Sequence, residues 1–99
     1  MALQLEEPYL NMLRQIVAEQ IDANRWQPVI FGSRAQGRAH RFSDIDLGFV
    51  GKDPLPLALR ASLIDALDES NIPYVVDIVD LITTAPEFKQ VAEQAMVKL

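Results

Sequence analysis

The sequence contains no cysteine, which excludes a disulfide framework and any thiolate metal centre. The same absence fits a reducing, cytoplasmic setting. It contains a single histidine, His40, so there is no second imidazole for a zinc site. No apolar run approaches the roughly 18–20 residues needed to cross a membrane. The opening stretch MALQLEEPYL carries two glutamates and no basic segment, so it does not read as a secretory leader. Basic residues are also scarce: nine Lys and Arg stand against fourteen Asp and Glu, a net charge of −5. That balance makes nucleic acid an unlikely partner, because phosphate-backbone binding needs a basic surface.

What is present reads as one globular domain spanning residues 1–99. Hydrophobic residues make up 49% of the chain and charged residues 23%, which is a folding rather than a disordered composition. The charge is unevenly placed. Residues 1–42 carry a net +1 and residues 43–99 a net −6. Between 34 and 41 lie three arginines and His40 with no acid. A small positive loop therefore precedes an acidic segment, a layout suited to one anionic ligand and one cation.

Periodicity divides the chain into alternating elements. Leu10, Leu13, Ile16, Val17 and Ile21 recur at helical spacing from Pro8 to about Asn24, with Pro8 suited to a first turn. Residues 27–31 read as a short strand ended by Gly32, and 33–37 as a helical turn. Residues 44–50 form a second strand and 51–56 a turn. Leu59, Leu63, Ile64 and Leu67 mark a helix over 57–68, broken by Asn71-Ile72-Pro73. The β-branched run YVVDIVDLI predicts a strand over 74–82. Pro86 opens a last helix with Phe88, Val91, Ala92, Ala95 and Met96 inward, and Thr84 is its candidate N-cap. The result is an α/β (α+β) domain: three strands in a mixed sheet, flanked by about four helices.

The chemistry concentrates in three places. Asp44 and Asp46 share a strand parity and point the same way, with Ile45 and Leu47 turned toward core. Two such carboxylates repel unless a cation or a shared proton lies between them. Hard cations such as Mg²⁺ take carboxylate oxygens, so the pair suits a metal clamp. Taken alone, it reads more readily as a solvated strand end, with Ser43-Asp44 capping a turn. Asp77, placed mid-strand among valines, is costly unless paired with an arginine or bound to metal. Asp80 has the opposite parity. If Asp77 joins Asp44 and Asp46, three carboxylates form the ligand set of a two-metal phosphoryl-transfer site. Gly32 and Ser33 end a strand and open a turn, where backbone N–H groups can bind phosphate. Arg34 and Arg38, one helical turn apart, can both face that anion. Ser33 has no paired base in sequence, which argues against a hydrolase nucleophile. Trp26 and Tyr74 read as packing at the core rim, Lys52 and Arg60 as surface charges, and His40 as an exposed loop residue.

The combination of GSRAQG at 32–37, SDIDL at 43–47 and IPYVVDIVDL at 72–81 resembles the minimal nucleotidyltransferases of the DNA polymerase β-like superfamily. The resemblance covers roughly Val29 to Leu81. It implies ATP as donor and two Mg²⁺ ions. Gly32 and Ser33 would then hold the β- and γ-phosphates, Asp44 and Asp46 would bind both metals, and Asp77 would complete the catalytic metal site. It also implies pairing with a small helical HEPN-type protein, or self-association, because the chain carries no acceptor domain of its own. Such minimal members act as antitoxins that transfer AMP to a tyrosine of the HEPN toxin. Two other functions stay open: a nucleotide-binding subunit that neutralises its partner by covering it, and a subunit of a small-molecule nucleotidyltransferase.

Overall fold

The computed structural model describes residues 3–40 and 43–99. Arg41 of the basic loop, and Met1 and Ala2 of the opening stretch, lie outside the described residues. The elements run α1 (Glu7–Gln20), β1 (Gln27–Phe31), β2 (Ile45–Gly51), α2 (Leu57–Asp68), β3 (Val76–Ile82), α3 (Pro86–Ala92) and β4 (Val97–Lys98). The sheet order is β3-β2-β1-β4. β1 runs antiparallel to β2 and to β4, while β2 and β3 are parallel. The sheet is mixed, as expected, but it has four strands rather than three. Among the described residues the helices number three, because residues 33–37 form a turn and not a helix.

The core lies on one face of this sheet. Ile45, Leu47 and Phe49 alternate along β2 and are fully buried, and Ile30 stands opposite Leu47. Against them pack Leu13 and Val17 of α1 and Leu63 and Leu67 of α2. Each such side chain contributes roughly 1.5–3 kcal/mol on burial. The intervening residues of β2, Asp46, Gly48 and Val50, face the other way. Gly48 is required by packing on that second face. A Cβ there would come within 2.5 Å of Leu81 Cδ1 and 3.1 Å of the Phe31 ring.

Several boundaries differ from the pattern in the sequence. α1 stops at Gln20, not near Asn24. The Asp22 carboxylate accepts the Asn24 N–H at 2.9 Å and the Asp22 carbonyl accepts from Trp26 N–H at 3.1 Å, so a local turn replaces the next helical one. α3 stops at Ala92, leaving Ala95 and Met96 outside the helix. The chain then extends, and Val97 and Lys98 pair with Ile30 and Val29 along the open edge of β1. The N-cap of α3 is Ala85 rather than Thr84, and no side chain caps it. Tyr74 and Val75 precede β3 rather than belonging to it.

Candidate active site

β1, β2 and β3 bring the candidate residues to one end of the sheet. Phe31, the last residue of β1, pairs with Asp46, so Gly32 and Ser33 emerge beside that aspartate. Gly32 has φ +76°, and a Cβ built on it would run into the Asp46 carboxylate. Only glycine therefore fits this turn so close to the strand. Gly37, also in the left-handed region at φ +73°, closes the same turn, where Arg38 N–H donates to the Ser33 carbonyl at 2.8 Å. In β3, Asp77 is the register neighbour of Asp46. Ile45 N–H donates to the Val75 carbonyl at 2.9 Å and fixes the start of that parallel pair.

Asp77 is exposed at the second position of β3. Its expected place among buried valines at mid-strand is therefore corrected: the strand begins two residues later than its β-branched run, and the carboxylate opens to solvent. Asp44 is also exposed, just before β2, and Asp46 is half-buried. Burial is the largest cause raising the Asp46 pKa above its ordinary value, followed by repulsion from Asp77 and then Asp44. Asp46 thus feels the charge of both other carboxylates.

This donor set fits a hard divalent cation. Asp46 carries the repulsion of Asp77 and Asp44, and a Mg²⁺ ion bound there would relieve it. Their side chains are not drawn together as they stand, since no group of three His, Cys, Asp or Glu among the described residues has metal-holding spacing. Asp44, Asp46 and Asp77 would hold the ion, and the N–H groups of the Gly32–Ser33 turn would face the phosphates it accompanies.

Arg34 departs from its expected role. It is buried, with 4% of its surface exposed. Its guanidinium donates from Nε and Nη2 to the Ser43 carbonyl at 3.1 and 2.7 Å, and from Nη1 to the Gln4 carbonyl at 2.7 Å. It also lies 4.1 Å from the centroid of the Tyr74 ring. These contacts turn it inward, so it is not a free cation beside Arg38, which remains exposed. Arg60 is likewise no simple surface charge. It donates to the Ile78 carbonyl at 2.7 Å and pairs with Asp80 at 2.8 Å, while Asp80 accepts the Leu55 N–H at 3.0 Å. Asp80 thereby anchors the loop before α2. His40 is exposed. Trp26 is buried, its indole N–H bound to the Asp53 carbonyl at 2.9 Å.

Sequence reasoning missed the pairing of Glu6 with Tyr74. The Tyr74 hydroxyl donates to the Glu6 carboxylate at 2.7 and 2.9 Å, and the Tyr74 ring meets Tyr9 edge-on at 5.9 Å. The acid lies 68 positions from the tyrosine, and no local pattern links them. Together with Arg34, Ala39, His40 and Pro73, these residues line a cavity of about 650 Å³.

A left-handed glycine turn lies against Asp46 of β2, with Asp44 just before that strand and Asp77 on the parallel neighbour. The profile of the family described as polymerase beta, nucleotidyltransferase matches residues 11–97, and the chain belongs to that family. A Haemophilus influenzae protein named "Probable protein adenylyltransferase MntA" is 37% identical over 67 residues. That match covers 68% of this chain and spans 59% of the relative's length. Among solved structures, a toxin–antitoxin complex with AMP-PNP superposes with a TM-score of 0.67 at 29% identity, covering 89% of this chain and 69% of that one. A variant of the MntA–HpeT toxin–antitoxin pair gives a TM-score of 0.68 at 30% identity, covering 97% and 72%. No helix among the described residues is long and apolar enough to cross a membrane.

Proposed function

We propose that the protein is a Mg²⁺-dependent adenylyltransferase that moves AMP from ATP to a tyrosine hydroxyl of a HEPN-type partner and so acts as its antitoxin. The observation that carries this reading is the contact of Gly32 with the Asp46 carboxylate, with Asp77 in register beside it. It is supported by likeness to the adenylyltransferase and to the toxin–antitoxin complexes. In this reading the N–H groups at Gly32 and Ser33 bind the β- and γ-phosphates and orient the triphosphate. Arg38, exposed at the end of the same turn, adds positive charge there. Asp44 and Asp46 bind both metal ions, and Asp77 completes the catalytic site and takes the proton of the acceptor hydroxyl. Bound Mg²⁺ supplies charge neutralisation to the pentavalent phosphorus. The hydroxyl oxygen attacks the α-phosphorus in line, the bond to the β-phosphate oxygen breaks, and pyrophosphate leaves.

In this reading the acceptor hydroxyl is supplied by the HEPN-type partner. A cytoplasmic setting accords with an ATP donor. The test is incubation of the protein with α-labelled ATP, Mg²⁺ and a HEPN-type partner. Label on the partner's tyrosine is expected, with pyrophosphate released in equal amount. An unlabelled partner with folded, nucleotide-binding protein overturns the reading. Asp46→Asn should abolish labelling by at least 100-fold, as loss of a metal carboxylate does. If this variant still neutralises the partner fully, covering the partner suffices and transfer is not the antitoxin activity.

A further inference from the structure

Arg34 is the charged side chain that the described residues bury, and it makes no direct ion pair among them, although the Glu6 carboxylate beyond Tyr74 feels its charge. Among those residues the ion pair is Arg60–Asp80. Burying a guanidinium without a direct ion pair is unfavourable unless several of its donors are satisfied. Here three of its N–H groups are satisfied by two backbone carbonyls, and its flat face lies on Tyr74. The positions of those partners matter more than their number. Arg34 itself follows Gly32 and Ser33 in the anion turn. Ser43, whose carbonyl takes two of its hydrogen bonds, immediately precedes Asp44. Tyr74 lies three residues before Asp77, and its hydroxyl is tethered in turn by Glu6.

One guanidinium therefore bridges the three chain segments that carry the turn and the carboxylates. Its contacts to Ser43 reinforce a local closure: His40 N–H donates to Ser43 Oγ at 2.7 Å, and Ser43 N–H donates to the His40 carbonyl at 3.1 Å. The planar fork can bind one carbonyl through Nε and Nη2 together while stacking on a ring, which an ammonium cannot reproduce. Yet Asp44 and Asp77 are exposed, and Asp44 lies outside the strand. Asp44 is held from both sides, by Ser43, whose carbonyl Arg34 binds, and by Ile45, whose N–H donates to the Val75 carbonyl.

We propose that Arg34 is a positioning residue, which sets Asp44 and Asp77 against the Gly32–Ser33 turn through the Ser43 carbonyl and the Tyr74 ring. This rests on the adenylyltransferase reading for the chemistry, but it concerns how the chain's own carboxylates are held. Arg34 touches neither phosphate nor metal in this role. Its loss acts as removal of an outer partner of a metal ligand, which typically weakens metal affinity or activity by about 10–100-fold.

The experiment compares wild type with Arg34→Lys and Tyr74→Leu. Mg²⁺ affinity is measured calorimetrically in the presence of a non-hydrolysable ATP analogue, and backbone amide exchange is followed at residues 43–45 without metal. Arg34→Lys should weaken Mg²⁺ binding about 10–100-fold, consistent with an outer-sphere effect. It should also raise amide exchange at 43–45 while leaving exchange in α2 unchanged. Tyr74→Leu keeps the carbonyl bonds and should show a smaller change of the same sign, which guards against a lysine variant that fails to fold. Wild-type Mg²⁺ affinity and wild-type exchange at 43–45 in Arg34→Lys overturn the proposal. If wild type binds Mg²⁺ and nucleotide but transfers nothing, the activity falls and the positioning role is still read from affinity. If wild type binds no divalent cation, both fall.

Discussion

At Gly32 the backbone takes φ +76° with the Asp46 carboxylate lying against its α-carbon. Both features act against any side chain. An L-residue in the left-handed region costs roughly 1–2 kcal/mol, and the Cβ would also displace Asp46. Gly32→Ala should therefore lower the melting temperature by about 4–8 °C per kcal/mol lost, and remove AMP transfer at the same time. Calorimetric melting and the labelling assay check the two together. An alanine variant with normal melting and normal transfer would show that the turn does not need its close approach.

The Glu6–Tyr74 pair gives a pH dependence whose sign follows from the bond. The Tyr74 hydroxyl holds the Glu6 carboxyl below its ordinary 4.5, and the Glu6 carboxylate is the largest cause holding the Tyr74 phenol above its ordinary 10.0. The carboxylate's contribution is present above the unfolded value and is lost as pH falls through the lowered folded one. The phenol's contribution is present below 10.0 and is lost as pH rises through its raised value. Ultraviolet titration of wild type should show Tyr74 ionising late. In Glu6→Gln the late tyrosine should move earlier. A titration unchanged by that variant would mean the bond does not persist in solution.

Among the elements, those that repeat a parity or a period were the legible ones. β2 was readable because Ile45, Leu47 and Phe49 alternate with Asp46 and Gly48, and the same parity placed Asp46 on the open face. The facing of Asp77 and the opposite facing of Asp80 were readable for the same reason. The depth of Asp77 was not, because a β-branched run tells where a strand is favoured and not where its neighbour begins. The burial of Arg34 was hidden too, since it depends on carbonyls of Gln4 and Ser43 that sequence distance does not connect. β4 escaped because two residues carry no period. It exists because β1 would otherwise leave an unpaired edge. Val97 packs against the core cluster while pairing with Ile30. Val97→Asp should detach β4, costing about 1–3 kcal/mol, and free the β1 edge for pairing between molecules. A lower melting point with concentration-dependent light scattering is expected; a monomeric variant of unchanged stability would show that β4 is dispensable to the sheet.

Across the whole molecule the layering determines what must be supplied from outside. The chain spans 33 × 29 × 18 Å, with α1 and α2 on one face of the sheet and the three carboxylates at the end of the other. With a net charge of −5 and Asp46 already repelled by Asp77 and Asp44, a bare triphosphate is repelled unless a cation accompanies it. Stabilisation by ligand should therefore be strongly coupled: ATP alone or Mg²⁺ alone should shift melting little, and the two together should shift it greatly. At about 100 times the dissociation constant, binding to the folded state adds about 2.7 kcal/mol. For a domain of this size that corresponds to a rise of roughly 10–20 °C. Asp46→Asn should lose the joint shift, because the cation then lacks its central ligand. Its ligand-free melting point should rise, because the like-charge contact with Asp77 and Asp44 is gone. The opposite movement of these two melting points in one variant separates a metal ligand from a carboxylate that merely supports the strand, for which both would fall.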